Sequence, residues 1–471
     1  MSEGVRYDSG SGRAILAAAV LGSGMALLDG TVVNIALRKI GTDLGASLPQ
    51  LQWITNGYLL ALASLILLGG SLGDRYGRRR IFVFGVVWFT AGSLLCGIAQ
   101  DPNQLIAARV IQGVGAALLT PGSLSMIQGA FRPEDRSRAI GAWSGLGGIA
   151  AALGPLVGGW LVEYASWRWV FFLNVPLAVV TVVIAVRWVP ETRDTESAHH
   201  FDILGAALGV IGLAGVTFAL IEAGALSTPI VLVSAAIGVA GLAAFVIAER
   251  DESMPMMPVE LFGSRQFSAA NAMTLLVYGA MGATIFFLVL QLQTVVGYGP
   301  LEAGIATVPI TVVLLFLASR GGALATRIGP RLPMSLGPVV CAAGIALLAF
   351  LDADASYWMD IFPGLTIFAL GLALLVAPLT ATVLAAAPDR YAGIASGVSN
   401  AVARGGSLLA VAALPFAVGL SGDDYDNPTV FARGYEQAMW ICVVLLALGG
   451  AVSFALIRNA DLNQSPESVT A

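Results

Sequence analysis

Charge is scarce in this sequence: Asp, Glu, Lys and Arg together make up 11% of its 471 residues, and 57% are apolar. A soluble globular domain does not combine so little charge with so much apolar surface, so the composition excludes that class and leaves a polytopic membrane protein. Lysine is nearly absent, with Lys39 standing alone beside the arginines. No GxxxxGK[ST] segment occurs, so nothing points to a nucleotide-binding loop or ATP-driven work. The cysteines are three, Cys96, Cys341 and Cys442, each inside an apolar run and none in a CxxC pair. Neither a thiolate metal site nor a disulfide framework is expected from them. The formal charge of -5 carries little information, because orientation follows where the arginines lie and not their total. No nucleic-acid partner is implied.

What is present is a series of apolar runs, each near the roughly 20 residues that cross about 30 Å of hydrocarbon. They fall at 14–36, 51–72, 81–99, 104–127, 139–162, 169–189, 203–223, 229–248, 268–292, 303–319, 333–350, 358–386, 392–420 and 435–457. This predicts an all-α integral membrane protein with 14 transmembrane helices. The first run follows a polar stretch ending at Arg13 and lacks a small-residue cleavage site, which predicts a retained helix and not a cleaved signal. An even number of spans puts both termini on one face. Loops on that face hold eighteen arginines, whereas the opposite loops hold Arg38, Lys39, Arg168 and Arg433. Positive charge is retained on the cytoplasmic side, so both termini are expected in the cytoplasm and the protein in the cytoplasmic membrane.

Span 2 ends in GGSLGDRYGRRR, from Gly69 to Arg80, and span 10 ends in GGALATRIGPR, from Gly321 to Arg331. Six positions match at a constant offset of 252: Gly69/Gly321, Gly70/Gly322, Leu72/Leu324, Arg75/Arg327, Gly77/Gly329 and Arg79/Arg331. Eight spans separate the copies, where two parallel six-helix halves would give six, so spans 7 and 8 read as an insertion. The expected organisation is a six-helix half over 1–190, a linker with the inserted pair over 191–267, a second six-helix half over 268–458 and a cytoplasmic tail over 459–471. In the first junction Asp74, Arg75, Gly77 and Arg78 are expected to form a conformational latch. Asp74 would face the positive N-terminus of span 13 near Ala392 and Gly393, a contact worth about 0.3–1 kcal/mol when exposed. Thr326 stands at that place in the second copy, so the two halves differ there.

Asp29 lies inside span 1, at an expected depth of roughly 10 Å from the outer surface at about 1.5 Å per residue. A carboxylate there costs several kcal/mol unless it is protonated, paired or facing water, so its default reading is functional. Arg109, in span 4, cannot deprotonate and needs an anion or several carbonyls. Asp29 is the deep carboxylate of the N-terminal half, so the two are expected to lie close together, with Gln112 and Gly113 on the same helix face as Arg109. Thr31 and Asn34 are helix contacts or cavity-lining polar groups. Further candidates for a substrate cavity are Gln112, Trp53, Tyr58, Phe287, Gln291, Asn400 and Arg404. Arg404 is the deep charge of the C-terminal half, and no acid of comparable depth accompanies it. In span 5, Gly154 and Gly158 lie on one small-residue stripe and Pro155 and Gly159 on the next. Small residues allow close helix approach, and Pro155 removes the backbone hydrogen bond to Ala151.

Six segments occur in order: LDGTVVNIAL (Leu28 to Leu37), GGSLGDRYGRRR, RVIQGVG (Arg109 to Gly115), LGPLVGG (Leu153 to Gly159), WRWVFFLNVP (Trp167 to Pro176) and GIASGVSN (Gly393 to Asn400). Together they resemble the fourteen-span drug:proton antiporters of the major facilitator superfamily, over essentially every span. The chain departs from that pattern at Arg38, where proline is usual, and at Ala150, where the span 5 motif often opens with glycine. The resemblance implies export of amphipathic drugs or toxic small molecules, cationic or neutral, across the cytoplasmic membrane by alternating access. It implies that Asp29 cycles a proton and that Arg109 responds to its protonation. It also implies that Gly154, Pro155, Gly158 and Gly159 mark an antiporter. The proton gradient is then the energy source, with no metal or cofactor and no enzymatic step, and a monomer in the lipid bilayer suffices. The same fold would equally suit an exporter of one endogenous metabolite, such as an amino acid, a siderophore or a lipid.

Overall fold

The computed structural model describes residues 4–193, 202–252, 255–388 and 391–459. Among them, 14 helices are long and apolar enough to cross a membrane, matching the expected number, and no strand forms. Most of the first linker and nearly all of the tail lie outside the described residues. The two faces of the bundle are called terminal, where the first span begins and the last one ends, and distal.

Span 1 runs Gly10–Leu44, well past the apolar run that announces it. Its last turns are polar but stay helical, with Lys39 paired to Asp43 at 2.8 Å, and stop at Gly45, whose φ of 63° is one that glycine adopts without strain. Asp29 therefore sits about 22 Å from Leu44 and close to the middle of the helix. The expected depth of roughly 10 Å is corrected upward, because hydrophobicity marks where a helix meets lipid and not where it ends. Prolines break two other spans. Span 6 divides into Arg168–Phe172 and Asn174–Trp188, where the missing N–H of Pro176 leaves the Phe172 carbonyl without its helical donor. Span 10 divides at Thr307, ahead of Pro309.

The offset of 252 is visible as packing. A Cβ on Gly69 would collide with the Ala117 carbonyl of span 4, and one on Gly321 would collide with the Ala373 carbonyl of span 12. Gly92 of span 3 presses on Gln112 in the same way that Gly344 of span 11 presses on Phe368. At the junctions, Gly77 and Gly329 take φ of 111° and 85°. The next helix is capped by a side chain from the end of its own half: Arg79 N donates to Glu191 Oε1 at 3.1 Å, and Arg331 N to Asn459 Oδ1 at 3.2 Å. Two six-helix bundles thus repeat one set of close helix crossings.

Spans 7 (Ile203–Gly224) and 8 (Thr228–Asp251), expected as an insertion, lie in sequence between the two sets of repeated crossings. Their helices meet glycine to glycine, Gly212 and Gly215 against Gly241 and Gly238, with no room for a Cβ at the crossing. Span 7 rests on span 2 of one half and span 13 of the other, whereas span 8 packs chiefly on span 7 and leaves most of its surface outward.

Candidate functional site

The deepest charges of the first half meet. Arg109 and Asp29 are 1% and 3% exposed, and Arg109 Nη1 donates to Asp29 Oδ2 at 2.5 Å. The other carboxylate oxygen, Oδ1, accepts from Gln112 Nε2 at 2.7 Å, and Gln112 Oε1 accepts from Arg109 Nη1 at 2.7 Å. Arg109 Nε donates to the Ile54 carbonyl at 3.0 Å, and its guanidinium lies 4.3 Å from the centre of the Tyr58 ring. Spans 1, 2 and 4 are thereby tied at one point. In this arrangement both oxygens of Asp29 accept hydrogen bonds, which suits the ionised carboxylate. Adding a proton to Asp29 would cancel its charge and remove an acceptor, while Arg109 would keep its own charge with only neutral partners. Gln112 and Tyr58, expected along a substrate cavity, are instead members of this buried cluster.

The first junction folds on itself. Asp74 Oδ1 takes Arg78 Nε and Nη2, both at 2.8 Å. Glu191, at the end of span 6, caps Arg79 N and lies against Gly77, where any side chain would meet its carboxylate. Arg79 Nη1 also reaches the Val189 carbonyl at 3.0 Å. Spans 2 and 13 run antiparallel, with Leu67 beside Gly397 and Gln52 beside Val411 and Ala412. That register carries Asp74 just past Tyr391, where the described part of span 13 begins. The expected contact of Asp74 with the start of span 13 is thus replaced, among described residues, by its tie to Arg78.

The superfamily description Major Facilitator Superfamily matches residues 19–411. The chain belongs to that superfamily. It is 36% identical over 462 residues to the puromycin resistance protein pur8 of Streptomyces alboniger, covering 94% of this chain and 90% of the relative. It is 33% identical over 405 residues to the multidrug resistance protein Stp of Mycobacterium tuberculosis, covering 85% and 74%. Its fold is similar to that of a bacterial homologue of the lysosomal transporter Spinster in an inward-facing, unoccupied conformation, with a TM-score of 0.69, 18% identity and coverage of 98% and 100%. The protein is accordingly a multi-pass membrane transporter and not an enzyme.

In this transporter the two halves are joined on the distal side by hydrogen bonds to backbone groups. Gln52 Nε2 donates to the Val411 and Ala412 carbonyls at 2.7 and 3.0 Å, and Gln293 Nε2 donates to the Ile35 carbonyl at 2.9 Å. Pro415 explains the first of these bonds, because its missing N–H leaves the Val411 carbonyl four residues back without a helical donor. Tyr425, in the loop after span 13, donates its hydroxyl to the Ala46 carbonyl at 2.8 Å. Burial, with Asp426 and Asp423 nearby, pushes that hydroxyl up to about 12, so it remains a donor throughout the working pH range. Leu301 N, at the start of span 10, donates to Glu163 Oε2 at 2.9 Å. Sequence reasoning passed over Gln52, although a glutamine inside an apolar run and a proline inside another were visible.

The remaining candidates scatter. Trp53 turns to the distal rim, where Nε1 donates to Glu222 Oε1 at 2.8 Å beside a surface cavity of about 580 Å³. Phe287 is fully buried and stacks on Phe431, and Gln291 donates to the Leu351 carbonyl at 2.7 Å, so both are packing groups within the second half. Thr31 donates to the Leu28 carbonyl at 2.9 Å and fills the space left by Gly154, while Gly158 accommodates Val32. Gly159 and Pro155 of span 5 contact Leu301 and Gly304 of span 10. The span 5 motif is therefore one of the places where the two halves touch. Asn34 is partly buried and donates to the Gly30 carbonyl at 3.0 Å. Asn400 is exposed and Arg404 half-buried, one turn apart on span 13.

Proposed function

We propose that the protein exports amphipathic small molecules across the cytoplasmic membrane in exchange for protons, by alternating access of its two halves. The observation that carries this reading is the Asp29–Arg109–Gln112 cluster: one titratable acid, sealed from solvent, whose protonation would release a permanent cation on a neighbouring span. Proton arrival at Asp29 would loosen the tie among spans 1, 2 and 4, and return of the ionised form would restore it. The relatives named for drug resistance support an exported cargo. Both termini lie in the cytoplasm on this reading, since the arginine-rich loops share their face. The cycle needs no cofactor beyond the proton gradient, and one chain forms the complete pathway.

Gradient-driven efflux of a fluorescent amphiphile from proteoliposomes tests the assignment. Asp29→Asn should abolish transport driven by a pH gradient while leaving the protein folded, and full activity in that variant would sink it. A narrower reading, export of one endogenous metabolite, has support in a relative named for a single compound, puromycin. Competition separates the two: many unrelated amphiphiles should inhibit the broad exporter, and only close analogues the narrow one.

A further inference from the structure

Arg404 is a permanent charge that the coupling cluster does not use. It lies near the middle of span 13 (Gly393–Ala417), half-buried, and it makes no hydrogen bond or ion pair among the described residues. Gly397 lies against Leu67 and Val411 accepts from Gln52, and Arg404 is seven residues from each, so it lies on the stripe of span 13 that meets span 2 of the other half. Asn400, one turn nearer the terminal face on the same side of the helix, is exposed and donates Nδ2 to the Ser396 carbonyl at 3.0 Å. The other deep charges cancel, because Asp29 and Arg109 are paired. Among the described residues, Arg404 is the charge near the middle of a span that has no such partner.

A lone cation at that depth is costly, and an arginine cannot shed its proton to avoid the cost. A structural arginine would be expected to find carbonyls or an acid, as Arg109 does. Arg404 instead makes no hydrogen bond or ion pair among the described residues, on the stripe of span 13 that meets span 2 of the other half. A planar guanidinium matches a carboxylate with two parallel hydrogen bonds, and it also stacks well on aromatic surface. From this we infer that Arg404 is the anion-binding group of the transport path and that the cargo is an amphipathic organic acid: an apolar, preferably aromatic body bearing one carboxylate or comparably acidic oxygen. This deepens the export reading and rests on it for its meaning, replacing the cationic or neutral cargo that the family resemblance implies. The charge balance is simple. One anion leaving and one proton entering move two charges in the favourable direction across a membrane that is negative inside, so the potential assists both steps.

Two probes with one aromatic body and opposite charge decide the matter: 1-pyrenebutanoate and (1-pyrenebutyl)trimethylammonium, titrated by fluorescence anisotropy against the full chain in lipid nanodiscs. The acid should bind the wild-type protein about 10- to 100-fold tighter than the cation. Arg404→Gln should erase that preference by weakening the acid alone, and Arg404→Lys should restore part of it. The thermal midpoint of Arg404→Gln should not fall, since no partner is lost. Equal binding of the two probes, no binding of either at millimolar concentration, or an unchanged acid affinity in Arg404→Gln would each overturn the inference. A clear drop in the midpoint of Arg404→Gln would do so as well, by showing a structural cation. Binding is read without a gradient, so failure of proton-driven efflux and failure of this assignment are separate results.

Discussion

Where span 4 brings Arg109 and Gln112 against spans 1 and 2, span 12 of the other half brings Leu365 and Phe368, both fully buried. The equivalence follows from the glycines: Gly92 presses on Gln112, and Gly344, 252 residues later, presses on Phe368. The close crossings of Gly69 and Gly321 and the positive-φ turns of Gly77 and Gly329 are kept in both halves. The charges are not. This crossing evidently packs well with leucine and phenylalanine, so the first half does not need an ion pair there in order to fold. Buried pairs are in general no more stabilising than apolar replacements of similar size. The cluster is therefore best explained by what its proton does, and the second half supplies the scaffold without that chemistry.

The largest effect should come from making the first half imperfectly resemble the second. Arg109→Leu alone leaves Asp29 buried without its cation, and it should lower stability by about 3–5 kcal/mol, read as a fall in thermal midpoint. The triple change Asp29→Leu, Arg109→Leu and Gln112→Phe imports the whole apolar solution. It should recover most of that loss while transporting nothing. A triple variant as unstable as the single one would show that the halves are not equivalent at this crossing. Next in size are the shared contacts. Gly69→Val and Gly321→Val each force a side chain into a facing carbonyl, and each should cost about 1–3 kcal/mol. Because the two crossings match, the two midpoints should fall by similar amounts, and a wide gap between them would break the symmetry argument.

Much of this comparison was legible beforehand. The number of spans follows from apolar length, because a membrane forces that signal into the sequence. Asp29 and Arg109 stood out for the same reason: charge inside an apolar run is too costly to be incidental. Depth and direction were less legible. The end of span 1 was misplaced because Arg38, Lys39, Thr42 and Asp43 are polar yet helical. The partners of Trp53, Phe287 and Gln291 were not legible, because the angle at which a residue leaves its helix says nothing of which neighbour lies there. The bond from Gln52 to Val411 joins residues 359 positions apart, and no local pattern announces such a pairing.

That distal bond yields a smaller prediction. Gln52→Ala removes two hydrogen bonds to the other half, worth about 1–2 kcal/mol together, and should favour opening on the distal side. A cysteine at Asn56, fully buried one turn deeper on span 2, would report it. Labelling of Asn56→Cys by a membrane-impermeant thiol reagent added from outside should speed up about tenfold when Gln52→Ala is added. Pro415→Ala gives the Val411 carbonyl a helical donor of its own, so it should mimic part of that effect and should not add fully to Gln52→Ala. Full additivity would mean that the proline and the glutamine act independently.

The smallest effect is expected at the junction that first revealed the repeat. Asp74 and Arg78 are an i,i+4 pair with side chains 34% and 18% exposed, and such pairs contribute about 0.3–0.5 kcal/mol. The second junction does without them, having Thr326 and Pro330 at those places, yet it keeps the same turn and the same backbone cap. Asp74→Asn should therefore leave the thermal midpoint nearly unchanged, whereas Glu191→Gln, which weakens the cap on Arg79 and the nearby charges of Arg79 and Arg80, should lower it more. If Asp74→Asn instead slows gradient-driven transport at unchanged stability, the residue has a partner in another state of the cycle. Its place level with the start of span 13 makes that helix the one to probe, and Thr326→Asp, which repeats the acid in the other half, should not restore the rate.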